Sequence, residues 1–128
     1  MTMVALDYGR KRTGTAIQLE GLILPGEPVL GGWDDIIQRL KELSGRHGEL
    51  LVILGLPLSA LGKTTELCGE VEALAARIRS AGYEVETVNE AGSTASAAAL
   101  RGGRDRRGRV DSVAACTILQ RYLDERRT

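Results

Sequence analysis

Apolar residues recur first in twos and later in threes and fours along this chain. Met3 to Leu6 is a short apolar run that ends at Asp7 and gives way to a polar turn, Tyr8 to Arg12. From Thr13 to Leu19 the chain alternates, with Thr15, Ile17 and Leu19 on one face and Gly14, Ala16 and Gln18 on the other. Two such runs about a short turn predict a β-hairpin. Leu22 to Leu30 contains Pro25 and Pro28, which lack a backbone donor, so it predicts a short third strand or an edge. Trp33, Ile36, Ile37, Leu40 and Leu43 then follow helical spacing, with Asp34 near the start and Gly45 near the end. Leu50 to Leu54 is continuously apolar and too short for a helix, the pattern of a strand buried on both faces. Leu67, Val71, Leu74, Ala75 and Ile78 trace a second amphipathic helix closed at Gly82, and Tyr83 to Val88 predicts another strand. Ser93 to Leu100 predicts an alanine-rich helix, and Val110 to Leu123 a final one.

Strands come first, and strand and helix then alternate. The first half should build antiparallel pairs and the second right-handed crossovers with parallel strands. The expected fold class is therefore α/β, a mixed five-stranded sheet flanked by helices. With 128 residues there is room for one domain and one core, and no linker or repeat divides residues 1–128. Phenylalanine is absent and the only aromatics are Tyr8, Trp33, Tyr83 and Tyr122, so Leu, Val, Ile and Ala must fill the interior.

Charge changes this picture through its distribution. Lys and Arg number 17, as do Asp and Glu, so no global field draws the protein to nucleic acid. Basic residues nevertheless gather at Arg10, Lys11 and Arg12, and again at Arg101, Arg104, Arg106, Arg107 and Arg109. Two basic clusters flanking candidate acidic ligands point to a phosphate-facing surface. Cys68 and Cys116, the only cysteines, are too few for a disulfide framework or a structural zinc site and read as reduced thiols. The opening MTMVALD has no basic region of a signal peptide, and no apolar run approaches a membrane span. The protein reads as cytoplasmic, with no membrane partner.

Three carboxylates carry the candidate chemistry. Asp7 ends the first strand, and Glu90 lies just beyond the strand from Tyr83 to Val88. Ligands of open α/β sheets gather outside the carboxyl ends of strands, so parallel neighbours would bring both to one edge. Asp111 begins a helix, where it serves equally as a cap or as a third group docked at that edge. Crowded carboxylates repel one another unless a cation lies among them. Mg2+ or Mn2+ suits such oxygen donors, and two ions about 4 Å apart activate water and stabilise a leaving phosphodiester oxygen. A competing signal fails. Gly62-Lys63-Thr64 resembles the end of a phosphate-binding P-loop, but Pro57 stands where that motif needs glycine. His47, the only histidine, reads as a surface residue.

Three ordered motifs resemble the YqgF/RuvX family, whose fold is similar to that of ribonuclease H and RuvC. Asp7-Tyr8-Gly9-Arg10-Lys11-Arg12-Thr13-Gly14-Thr15-Ala16 is similar to the family's opening D-x-G-x-K-R-x-G-x-A. Gly55-Leu56-Pro57-Leu58 resembles its G-L-P-L turn. Val110-Asp111-Ser112-Val113-Ala114-Ala115 with Ile118-Leu119-Gln120-Arg121-Tyr122-Leu123 resembles its closing V-D-S-x-A-A…I-L-Q-x-Y-L. Two places differ: Asn89-Glu90-Ala91 stands for the family's D-E-R, and Ser59-Ala60-Leu61-Gly62 for its N-x-D-G.

The resemblance implies that Asp7, Glu90 and Asp111 form an acidic metal-binding triad. It implies a nuclease that trims the 5′ end of precursor 16S ribosomal RNA, with Holliday-junction resolution as the alternative. A rival from another class is an inactive RNA-binding module, which Ala91 in place of the family's arginine favours and the intact acidic triad opposes. RNA is the favoured partner and structured DNA the other; junction cleavage would call for a homodimer. Lys11, Arg12 and the arginines from Arg101 to Arg109 would contact backbone phosphates, giving affinity without sequence readout.

Overall fold

The computed structural model describes residues 1–57, 66–89 and 109–126, the side chains at 109–111 excepted. Its strands are β1 (Thr2–Asp7), β2 (Arg12–Leu19), β3 (Leu22–Pro25), β4 (Val29–Leu30), β5 (Leu50–Leu56) and β6 (Glu84–Asn89). Its helices are α1 (Trp33–His47), α2 (Glu66–Ser80) and α3 (Arg109–Arg126). The expected helix from Ser93 to Leu100 lies outside the described residues.

One mixed sheet organises these elements, in the order β3-β2-β1-β5-β6 with β4 also on β2. β1 pairs antiparallel with β2 and parallel with β5, and β5 pairs parallel with β6. β1 and β6 therefore run in the same direction, as expected, but β5 separates them. The sheet has six strands where the sequence pattern suggests five. Leu22 to Leu30 splits into two pieces that both pair with β2, Ala16 opposite Pro25 and Thr13 opposite Val29. Pro25 and Pro28 cannot donate to a ladder, so the chain detours between them. Gly26 donates to the Thr15 carbonyl at 2.9 Å, and the Thr15 hydroxyl to the Glu27 carbonyl at 3.0 Å, which satisfies the detour's backbone.

The sheet separates two apolar layers. Val4, Leu6, Val52 and Leu54 pack on one face beneath Ile36 and Leu40 of α1 and Val71, Leu74 and Ile78 of α2. Ala5, Ala16, Leu51, Ile53 and Val88 pack on the other beneath Ala115, Ile118, Leu119 and Tyr122 of α3. Alanines on both sides of the second interface let α3 approach the sheet closely. The α1 helix runs past Gly45 and stops at Gly48, whose φ of +83° breaks the helical path and whose N–H bonds the Ser44 carbonyl at 2.9 Å. Gly45 carries no positive φ and lies inside the helix, so the expected stop moves three residues on.

The last helix spans the sheet from the β2 side to β6. Near its start Ser112 donates to the Gly26 carbonyl at 2.8 Å. Near its end Tyr122 donates to the Glu86 carboxylate of β6, and Arg121 to the Asn89 carbonyl at 2.6 Å. Ser112 and Tyr122 are ten residues apart, roughly 15 Å of helix. That is about the three ~4.8 Å spacings that separate β2 from β6.

Burial, and then the Glu86 carboxylate, push the Tyr122 phenol up to about 12 from 10.0. The folded chain thus keeps this proton where the unfolded chain loses it. The contribution is whole below pH 10 and disappears as pH climbs toward 12. Tyr122→Phe should cost about 1 kcal/mol at neutral pH, because Glu86 remains partly solvated. It should also flatten the alkaline fall in stability, read by urea unfolding between pH 8 and about 11; an unchanged alkaline fall would contradict the assignment.

Candidate active site

Asp7 is the last residue of β1 and pairs with Gly14 of β2. Strand alternation places it on the face of Ala5, the face that α3 covers, and it is half-buried there. The turn that follows is held tightly. A Cβ at Gly9 would lie 2.4 Å from the Arg12 carbonyl oxygen, so only glycine lets the backbone close here. Beyond it, Gly31 donates to the Lys11 carbonyl at 3.0 Å, and Arg12 pairs with Leu30.

The near half of the turn is held by side chains. Trp33 Nε1 donates to the Tyr8 hydroxyl at 3.2 Å, and that hydroxyl donates to Glu70 Oε1 at 3.2 Å. Arg10 Nε donates to Glu70 Oε2 at 2.9 Å. The Arg10 guanidinium holds the Glu70 carboxyl below the usual carboxylate range, and Glu70 in turn raises Arg10. The basic cluster of the sequence is therefore not uniform. Arg10 is committed to Glu70, while Lys11 and Arg12 are exposed and make no ion pair among the described residues.

Asp111 is the third residue of α3, in its first turn; its side chain lies outside the described set. The backbone around it is anchored. Ser112 is only 2% exposed and bonds Gly26, which bonds Thr15, the residue after Asp7's partner Gly14. Two hydrogen bonds thus connect the strand beside Asp7 to the helix turn that carries Asp111. Glu90 directly follows Asn89, the last residue of β6, and lies outside the described residues. The β5–β6 register sets Leu54 opposite Thr87, and the β1–β5 register sets Leu6 opposite Leu54. The ends of β1 and β6 consequently share one sheet edge. Among the described residues no three His, Cys, Asp or Glu side chains gather as a metal site.

Arg101, Arg104, Arg106 and Arg107 lie outside the described residues, and Arg109 opens α3 with its side chain undescribed. Among the described residues no helix is long and apolar enough to cross a membrane. Tyr8, Trp33, Glu70 and Arg121 join the surroundings of the site only through the fold. Tyr8 and Arg121 occupy variable positions of the motifs, and Glu70 lies 62 residues from Tyr8, so no local pattern marks them.

Comparison with known proteins gives this geometry a family. A relative from Prosthecochloris aestuarii named "Putative pre-16S rRNA nuclease" is 36% identical over 134 residues, covering 96% of this chain and 93% of the relative. A relative of the same name from Chlorobaculum tepidum is 32% identical, covering 95% and 92%. Among solved structures, Thermus thermophilus RuvC superimposes with a TM-score of 0.58 at 18% identity, covering 98% of this chain and 96% of RuvC. That likeness shows the fold, which is ribonuclease H-like. The family model described as "RuvX: Holliday junction resolvase" matches residues 1–125. With nearly its whole length matched by that model and by curated relatives, the chain belongs to the RuvX (YqgF) family.

Proposed function

We propose that this protein is a divalent-metal-dependent nuclease of the cytoplasm that cleaves phosphodiester bonds of RNA, processing the 5′ end of precursor 16S rRNA. The observation that carries the reading is the anchored path from Asp7's neighbour strand through Gly26 to Ser112, beside Asp111. It supports a common edge for Asp7, Asp111 and, one residue beyond β6, Glu90. Carboxylate oxygens at a strand end are hard donors and fit Mg2+ or Mn2+. Bound there, two such ions would supply charge neutralisation and Lewis acidity toward a phosphodiester.

The chain's own residues do the rest. Asp7 presents a half-buried carboxylate whose position is set by strand pairing, with Glu90 and Asp111 completing the donor set. Lys11 and Arg12, exposed beside that edge, hold backbone phosphates, joined by Arg101, Arg104, Arg106, Arg107 and Arg109. Relatives named for precursor 16S rRNA favour RNA as the substrate. A second reading is four-way junction cleavage by a homodimer, favoured by the family description and by the RuvC fold, seen also in a RuvC structure with a Holliday junction substrate.

Incubating precursor rRNA, single-stranded RNA and a four-way DNA junction with Mg2+, Mn2+ or EDTA tests the proposal. Cleavage of precursor rRNA with either ion, abolished by EDTA, is expected. Preferential cutting of the junction would favour the second reading, and cleavage of none would leave a binding module. Asp7→Asn should lower cleavage by roughly 100-fold or more while the fold survives; parent-like cutting would sink the role of Asp7. Replacing Lys11 and Arg12 with Ala should lower the salt slope of single-stranded RNA binding by about 1.4, at about 0.7 per phosphate contact. An unchanged slope would mean these residues face away from the substrate.

A further inference from the structure

We infer that Glu70 is a positioning residue for Asp7, clamping the turn that begins at the next residue. This rests on the proposed role of Asp7, and it concerns a side chain on a different element. Both oxygens of the Glu70 carboxylate are occupied by that turn: Oε1 by the Tyr8 hydroxyl and Oε2 by the Arg10 guanidinium. Tyr8 and Arg10 stand one and three residues after Asp7. The Tyr8 hydroxyl also accepts from Trp33 at the start of α1, so three elements meet on one phenol.

The chemistry of the clamp says what it does. Arg10 is 61% exposed and Glu70 32%, so their attraction is screened by water and adds little to global stability. A pair that contributes little globally still selects one local geometry, because the fork of Arg10 and the hydroxyl of Tyr8 fit one carboxylate simultaneously. Asp7 has its backbone paired to Gly14 on one side, and Gly9 closes against the Arg12 carbonyl on the other. Tyr8 is the residue between these two constraints, and Glu70 is what its hydroxyl donates to. A carboxylate that must meet a small cation needs its position held within about 0.5 Å.

The same contact has a second consequence. Arg10 adjoins Lys11 and Arg12, so Glu70 withholds one cation from the exposed basic run. Releasing it should help nucleic acid bind while harming the step that depends on Asp7. A structural staple without influence on the site would release the Arg10 cation as well, and so would tighten binding but leave the Asp7-dependent step unharmed.

Glu70→Ala separates these cases. Expected are a loss of Mn2+ affinity and of kcat by roughly 10-fold each, and faster amide hydrogen exchange confined to residues 8–11. Binding of a single-stranded RNA oligonucleotide in EDTA should tighten, with a salt slope steeper by about 0.7. The urea midpoint should stay at the parent value. Glu70→Gln, which still offers an acceptor oxygen, should recover part of the Mn2+ affinity. Parent-like Mn2+ affinity in Glu70→Ala, where Asp7→Asn loses it, would overturn the inference, as would parent-like exchange at residues 8–11. Faster exchange at residues 8–11 with parent-like Mn2+ binding in both Glu70→Ala and Asp7→Asn would support the clamp and overturn only the metal reading.

Discussion

β1 is hydrogen-bonded along both edges, antiparallel to β2 and parallel to β5, and the rest of the molecule depends on that double pairing. Val4 sits opposite Ile17 on one side and Val52 on the other. This register assigns Val4 and Leu6 to the layer under α1 and α2, and Ala5 to the layer under α3. Asp7 inherits the face of Ala5. A slip of one residue would exchange the faces and bury Asp7 under the wrong helices, so the hydrophobic pattern itself fixes where the carboxylate points. The same pairing makes the ends of β1, β5 and β6 a single edge, while β2 leaves from it as a hairpin.

Much of this was legible because it is local. The unbroken apolar run of β5, the alternation of β2 and the helical spacing in α1 and α2 each lie within a short window. Asp7 was legible for a similar reason: a strand end, a glycine-containing turn and basic residues follow one another directly. What escaped depends on contacts distant in sequence. The split of the third strand into β3 and β4 reflects where β2 can accept partners around Pro25 and Pro28. The separation of β1 from β6 by β5 is a property of the sheet order. Ser112 meets Gly26 across 86 residues, and Tyr8 meets Glu70 across 62. Nothing near Tyr8 in sequence announces a carboxylate on α2. The expected positions of Glu90 and of the arginines from Arg101 to Arg107 fall outside the described residues.

Electrostatics follow the same division between sum and placement. Formal net charge is zero, so affinity for a polyanion must come from a few well-placed cations. The sequence shows Arg10, Lys11 and Arg12 as equals. The structure distinguishes them, giving Arg10 to Glu70 and leaving Lys11 and Arg12 exposed beside the strand end. One run of basic residues thereby contains a structural cation and two that face solvent. Membership of the RuvX family gives that arrangement its context, and the ribonuclease H-like sheet gives it its frame.

We propose that the carboxyl edge of β1 is a metal site built around Asp7. Crystals of the parent protein soaked in Mn2+ and measured at the manganese absorption edge would reveal the ion itself. An anomalous peak is expected roughly 2.1 Å from an Asp7 carboxylate oxygen, with Glu90 and Asp111 also in contact. A well-ordered Asp7 with no peak beside it, or manganese bound only elsewhere on the molecule, would contradict it.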